Sequence, residues 1–425
     1  MPHGDNLRSE RADQVRSDHL RSELAGVLAA ALCPSASGAL RGWGSASVVL
    51  DAGGGQACTV LVRGGELRLL TRAVTRPDST IRAELSTFRT LATGQLSGID
   101  AFIGRRVTVR GNLALAMQLQ SAVRVAGPPV RFPRFGVAGA QGQRTNYLEA
   151  GPPGGPAVVL LHGLGATNAS MLPLVSGLAD GYRVIVPDLP GFGASDAWRG
   201  RYDAPFFAGW LDGLLTGLGV DRAVVAGNSL GGRIALEYAL RHPRRVRGVI
   251  GLAPAMAFRR LRQLVPLATL ARPELALAPV PIPRRLIHRE VRRLFARPAR
   301  LPDSWYDAAT DEFCRVMGRP ANRVAFFAAL RHIYLDVPFG ERGLWTRLPS
   351  LGIPALFVWG AHDRLVPAGY GRHVLAALPS ARSVVLTDCG HVPQFEQPER
   401  VTRLIRDYLA DLAPSRAEST PGRAG

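Results

Sequence analysis

The stretch Val224-Val225-Ala226-Gly227-Asn228-Ser229-Leu230-Gly231-Gly232-Arg233-Ile234-Ala235 runs an apolar strand into Gly-x-Ser-x-Gly and then directly into a helical pattern. This is the sequence form of a nucleophile elbow, a sharp and strained strand-to-helix turn that lifts a serine hydroxyl clear of a sheet. Only glycine at 227 and 231 leaves room for the backbone to close around Ser229. A chain this rich in glycine and serine would produce roughly 0.25 such matches by accident. The weight of the motif therefore depends on what surrounds it.

The flanking chain supplies an order for the rest. Ala157–Leu161, Tyr182–Val186, Ala223–Ala226, Val246–Leu252, Ala355–Trp359 and Ser383–Leu386 are short apolar runs suited to buried parallel strands, alternating with helical patterns. That alternation predicts an α/β fold with a doubly wound, mostly parallel sheet. It pauses between about 255 and 350, in a Pro- and Arg-rich, helix-compatible insertion without strand signal. Serine is a poor nucleophile at neutral pH and needs a base, which in turn needs an orienting carboxylate. The strand Leu356–Trp359 ends in Gly360-Ala361-His362-Asp363, and Val384–Leu386 is followed by Cys389-Gly390-His391. Residues just past the carboxyl ends of parallel strands converge on one crevice, so Asp363 and His391 are expected to meet Ser229 there.

With the order Ser, Asp, His in place, the segment from about 131 to 412 resembles the α/β-hydrolases that carry Asp after the seventh strand. Further motifs match: His162-Gly163-Leu164-Gly165, Asp188-Leu189-Pro190-Gly191-Phe192-Gly193, and Gln397-Pro398-Glu399. The resemblance implies an oxyanion hole made by the backbone N–H groups of Leu164 and Leu230, and makes the 255–350 insertion a lid over Ser229. It implies neither metal nor organic cofactor. His162, Asp188, Asp196 and Asp388 are expected to shape or decorate loops, with His391 as the base. A serine nucleophile disfavours epoxide opening and dehalogenation, which need a carboxylate at that position. The expected activity is hydrolysis of carboxylic esters of a hydrophobic, lipid-like substrate. Carbon–carbon bond hydrolysis or acyl transfer on the same triad is the alternative, with Val392 standing where the carbon–carbon hydrolases have tryptophan after the histidine. A lipid-transfer protein with a non-catalytic hydrolase scaffold is a further reading.

Ahead of this segment, residues 20–125 read as a smaller α+β unit. A helix from about Asp18 to Leu32 precedes strands around 47–50, 58–62 and 67–71, the last two forming a hairpin around Gly64-Gly65. A strand at 80–85, a helix at 86–91, a strand at 106–112 and a helix at 113–123 complete it. The order of strand, Ser-Thr-Phe helix, Ile99-Asp100-Ala101-Phe102 helix, strand and Gly111-Asn112-Leu113 helix resembles the sterol carrier protein type 2 domain. That resemblance implies an antiparallel sheet with helices enclosing a tunnel for an acyl chain or sterol, with Leu113, Leu115, Met117, Leu119 and Val123 as candidate lining. Residues 1–19 are expected to fray, 126–133 to form a Pro-rich, semi-rigid linker, 134–412 to form the hydrolase domain and 413–425 a disordered tail.

Composition narrows the partners. The 425 residues carry a net charge of +19 with 47% apolar residues, and every basic residue is arginine. Arginine without lysine is the signature of GC-rich coding, which weakens a nucleic-acid reading, and no nucleic-acid fold is apparent. Between Phe258 and Arg300, however, eleven arginines face only Glu274 and Glu290. There Arg284, Arg285, Arg289, Arg292 and Arg293 interleave with Ile287, Val291, Leu294 and Phe295 as a basic amphipathic helix, which reads as a solvated lid face, as a patch for an anionic membrane surface, or as a contact for an acidic substrate or nucleic acid. Four dispersed cysteines, no secretory signal and no membrane span lead to the expectation of a cytoplasmic protein, at most peripherally membrane-associated.

Overall fold

The computed structural model describes residues 23–33, 40, 44–64, 66–123, 134–140, 143–257, 272–278 and 282–412. The expected linker at 126–133, the two termini and part of the insertion lie outside these residues. Five strands come first: β1 (Ser45–Asp51), β2 (Ala57–Arg63), β3 (Glu66–Leu70), β4 (Ser79–Ala83) and β5 (Val107–Gly111). They form one sheet in the order β3-β2-β1-β4-β5. Alternation sets its inner face, with Ala46, Val48 and Leu50 of β1 and Cys58, Val60 and Val62 of β2 buried. The β2–β3 hairpin closes with Arg63 opposite Glu66.

The expectation of an all-antiparallel sheet is corrected at one seam. β4 runs parallel to β1, with Val48 opposite Ser79 and Asp51 opposite Arg82. The hairpin occupies the other edge of β1, so the chain returning from β3 crosses back to the free edge in the same direction as β1. Helices Glu23–Ala31, Leu85–Ala92, Gly98–Ile103 and Leu113–Gln118 cover the inner face. Asn112 caps the last of these, its Oδ1 accepting from the Leu115 N–H at 3.0 Å. Between sheet and helices lies an apolar cavity of about 100 Å³. Of the five candidate lining residues, Leu113, Met117, Leu119 and Val123 face it, and Leu115 does not. Leu115 is fully buried in the core instead.

The second sheet contains β6 (Arg134–Ala140), β7 (Gln143–Ala150), β8 (Ala157–Leu161), β9 (Arg183–Pro187), β10 (Ala223–Asn228), β11 (Val246–Leu252), β12 (Ala355–Gly360) and β13 (Arg382–Leu386). Its order is β13-β12-β11-β10-β8-β9-β7-β6. Every residue of β8 and β10 is buried, as continuous apolar runs covered on both faces must be. The strands from β8 to β13 are parallel, while β7 runs antiparallel to β9 and to β6. The chain matches the predicted fold class: a mostly parallel α/β sheet preceded by a smaller α+β unit.

The two units share one core. Leu24, Phe88 and Phe102 of the front unit and Met171, Leu172 and Leu174 beside the large sheet belong to one contiguous buried cluster. The Ser176 hydroxyl also donates to Asp100 Oδ1 at 2.5 Å. Front unit and large sheet are therefore packed together, not merely strung on a connector.

Between β11 and β12 the insertion is helical where described, with helices Arg284–Arg293, Asp303–Met317 and Pro320–Leu335. Four of the five arginines in its helix Arg284–Arg293 are engaged. Arg284 pairs with Asp307 and Asp311, Arg292 pairs with Asp303 and lies over the Tyr306 ring, and Arg289 and Arg293 both reach Glu290. Among the described residues, no helix is long and apolar enough to cross a membrane.

Candidate active site

Ser229 sits between β10 and helix Leu230–Arg241 with φ 53° and ψ −115°. A non-glycine residue held there is strained by about 1–3 kcal/mol, and such strain persists only where the surroundings over-determine it. The surroundings here are two glycine contacts and three hydrogen bonds. A Cβ on Gly227 would lie 2.2 Å from the Gly231 carbonyl carbon, and one on Gly231 would lie 2.3 Å from the Leu161 oxygen. The Ser229 N–H donates to Leu252 O at 3.0 Å, and the Ser229 carbonyl accepts from the N–H groups of Arg233 at 3.1 Å and Ala255 at 2.9 Å. Gly231→Ala is accordingly expected to lower stability by about 3 kcal/mol through forced separation of β8 from the helix, read as a drop in unfolding midpoint in denaturant.

Asp363 lies just past β12. Its Oδ1 accepts from the N–H groups of Leu365 and Val366 at 2.8 and 2.9 Å, and its Oδ2 is 2.8 Å from His391 Nδ1. Both side chains are buried. With Oδ1 committed to two backbone donors, Oδ2 is left to accept from Nδ1–H, which leaves His391 Nε2 as the basic nitrogen. Three contacts fix the His391 loop. A Cβ on Gly360 would collide with Gly390 O, the Asn228 amide donates to the His391 carbonyl at 3.0 Å, and the His391 N–H donates to Leu294 O of the insertion at 2.7 Å. Asn228 thereby ties the elbow to the histidine loop. Ser229 Oγ forms no hydrogen bond with His391 among the described residues.

Glu396 is a residue that the sequence reading did not single out. One of its oxygens accepts from the Gly390 N–H and the other from the Ala296 N–H, both at 2.7 Å. It thus joins the histidine loop to the insertion, and burial pushes its carboxyl above the usual range. The only sequence signal was its place six residues after Gly390.

The His162-Gly163-Leu164-Gly165 loop lies against the serine, since a Cβ on Gly163 would be 3.3 Å from Ser229 Cβ. Neither the Leu164 nor the Leu230 N–H has a backbone acceptor among the described residues. Two uncommitted donors beside a serine are what a developing oxyanion needs. His162 is wholly buried. Its Nδ1–H donates to Gly163 O at 2.8 Å and its Nε2 accepts from the Leu189 N–H at 2.9 Å. Burial lowers its pKa to about 4, so it is a neutral loop brace. Asp188 accepts from Asn146, from the Asn168 N–H and from the Ala194 N–H, and burial raises its pKa to about 6. Asp196 pairs with Arg144, and Asp388 with Arg297. Among the described residues no cluster of three or more His, Cys, Asp or Glu side chains is arranged to hold a metal ion.

An apolar cavity of about 520 Å³ opens beside this constellation, lined by Leu164, Phe295, Trp305, Phe313, Phe326 and Val392 among others. Its volume is that of a small-molecule site. Ser229 and His391 do not line it themselves; their sequence and loop neighbours do, Val392 next to His391 and Leu164 in the loop that lies against Ser229. Its ionisable lining residues are Glu290 and Glu312.

Residues 156–398 match the family described as alpha/beta hydrolase fold, and residues 27–124 match the SCP-2 sterol transfer family. The chain is 31% identical over 301 residues to a 2-hydroxy-6-oxo-6-phenylhexa-2,4-dienoate hydrolase of Burkholderia cepacia, an alignment covering 66% of this chain and 96% of that one. Among solved structures it is similar to a bacterial membrane phospholipase A at 26% identity and TM-score 0.56, covering 67% of this chain and 87% of that one. It is also similar to a thermophilic esterase of Thermogutta terrifontis at 26% identity and TM-score 0.54, covering 66% and 99%.

Proposed function

The chain belongs to the alpha/beta hydrolase fold family, and from that premise we propose that it hydrolyses carboxylic esters of a hydrophobic, lipid-like substrate through Ser229, His391 and Asp363. The observation that carries the reading is the Asp363–His391 pair, bonded at 2.8 Å and tied through Asn228 to a strained serine. In this mechanism Ser229 Oγ attacks the acyl carbon as His391 Nε2 takes its proton, and Asp363 holds the imidazolium that forms. The carbonyl oxygen, now an oxyanion, accepts from the Leu164 and Leu230 N–H groups, each worth on the order of 3 kcal/mol of barrier. His391 returns the proton to the departing alcohol, then takes one from the water that cleaves the acyl-serine, releasing the carboxylic acid. Transfer to another alcohol in place of water shares the first half of this path.

The carbon–carbon reading has support in the Burkholderia relative, named for a dienoate. A dienoate is an anion, and no cationic side chain is among the described residues lining this mostly apolar cavity, whose Glu290 and Glu312 are themselves held by Arg289, Arg293 and Arg315. Moving an anion from water into an apolar cavity with no cation to pair it costs binding, whereas a neutral ester meets no such cost. The comparison that decides is kcat/KM for a neutral aryl ester of a medium-chain acid against that for a 6-aryl-2-hydroxy-6-oxohexadienoate. About 100-fold preference for the ester is expected. Preference for the dienoate would replace the ester reading with the carbon–carbon one.

The front unit, by its SCP-2 likeness, is proposed to take an acyl chain or sterol. Peripheral contact of a cytoplasmic protein with an anionic membrane rests on the Arg284–Arg293 helix, whose charge is mostly spent on Asp303, Asp307, Asp311 and Glu290. Residual attraction would appear as salt-sensitive binding to anionic but not neutral vesicles.

A further inference from the structure

The two apolar cavities are neighbours with a common wall. Phe102 and Leu113 of the front unit line both the cavity inside that unit and the one beside Ser229. On the hydrolase side the wall is Trp305, whose ring stacks on Phe102 with centroids 5.7 Å apart and planes 17° from parallel. The Trp305 indole N–H is buried without a hydrogen-bond partner among the described residues, so this closed arrangement is not fully satisfied.

The wall is held in register by charge. Arg110 at the end of β5 donates to Asp311 Oδ2 at 2.8 Å, and the Gly111 N–H donates to the same carboxylate at 3.2 Å. Arg284 reaches Asp307 and Asp311 from the other side. The helix Asp303–Met317, which carries Trp305 and roofs the site, is thus clamped to the front sheet.

Size decides how the front cavity is used. At about 100 Å³ it falls below the ~300–1,000 Å³ of pockets that enclose a whole ligand. It takes the end of a chain, while the larger cavity beside the serine takes the rest. Its lining, with Leu28, Phe88, Ile99, Val109, Met117 and Leu119, is apolar apart from Gln120, whose Oε1 is taken by the Gly98 N–H and whose buried Nε2 has no partner among the described residues; such a surface suits methylenes and holds no charge for an ionic head.

Building on the serine-ester reading above, we propose that the substrate is an ester of a long, unbranched acyl chain, which runs from Ser229 through the lid cavity and past the Phe102–Trp305 stack. Its end lies in the core of the front unit. The front unit is then the far end of the acyl-binding site, and it sets chain length.

The test uses the full chain and a hexadecyl fluorophosphonate with a diazirine at its far carbon. Ser229 Oγ displaces fluoride from phosphorus, its proton leaving through His391, and irradiation then inserts the chain end into whatever it touches. Crosslinks from the Ser229 adduct to residues 88–119 are expected, and an octyl probe should crosslink to the insertion instead. Phe102→Trp should move the hexadecyl crosslinks back to the insertion and lower the hexadecanoate-to-butyrate ratio of kcat/KM by about tenfold or more. Hexadecyl crosslinks confined to the insertion or lost to water in the wild-type protein, with Ser229 labelled, would overturn the route while leaving the ester-hydrolase reading intact. Absence of label on Ser229 would overturn both.

Discussion

Ser229→Ala is expected to lower kcat for ester hydrolysis by about 10⁴- to 10⁶-fold, because the nucleophile and its base act as a unit and removing either forfeits most of what both supply. The residual rate would come from the oxyanion donors and binding alone. Stability should hardly change. The hydroxyl makes no hydrogen bond among the described residues, and alanine suffers the same positive φ of 53° as serine does. Ser229→Gly separates chemistry from strain further. It should be as inactive as the alanine variant yet more stable by about 1 kcal/mol, because glycine adopts this backbone freely. Urea midpoints measured beside kcat check both statements, and a Ser229→Gly protein less stable than wild type would show that the elbow is not strained as described.

Asp363→Asn is expected to cost about 10⁴-fold in kcat with little loss of fold, through the tautomer of His391. The argument rests on the two backbone donors. Leu365 and Val366 both point N–H groups at Oδ1, so an asparagine keeps its carbonyl oxygen there and turns its amide toward His391. The amide donates to Nδ1, which moves the ring proton to Nε2 and removes the lone pair that accepts from Ser229. An alanine at 363 lacks this wrong donor but leaves the two N–H groups unpaired and buried, so it should be the less stable of the two variants. Equal kcat for the aspartate and asparagine proteins would remove Asp363 from the mechanism.

Much of this arrangement could be read from the chain because it rests on local rules. β8 and β10 are apolar throughout because both faces are covered, and the residues that follow β10, β12 and β13 gather at one end because parallel strands end together. What could not be read was pairing between distant segments. The β6–β7 hairpin at 134–150 lacks β-branched density and passed without notice, and nothing in β4 announces that it joins β1 in parallel. The basic stretch is the clearer lesson. Charge counted from Phe258 to Arg300 shows an arginine excess, but Asp303, Asp307, Asp311 and Glu312 begin just beyond that window. The chain turns back after Arg284–Arg293 so that the helix Asp303–Met317 packs on it, and Arg284 and Arg292 pair with Asp303, Asp307 and Asp311. The Arg110–Asp311 contact and the shared wall at Phe102 likewise join residues some two hundred positions apart, for which local periodicity has no signal.

The claim on which the rest depends is that Ser229 is an activated nucleophile. A short-chain alkyl fluorophosphonate, reacted with the full-length protein and followed by intact mass and peptide mapping, tests it most directly. The account predicts one adduct per chain, carried by the peptide containing Ser229, absent in Ser229→Ala and slowed in Asp363→Asn. A wild-type protein that stays unlabelled, or a Ser229→Ala protein labelled as fully as wild type, would contradict it.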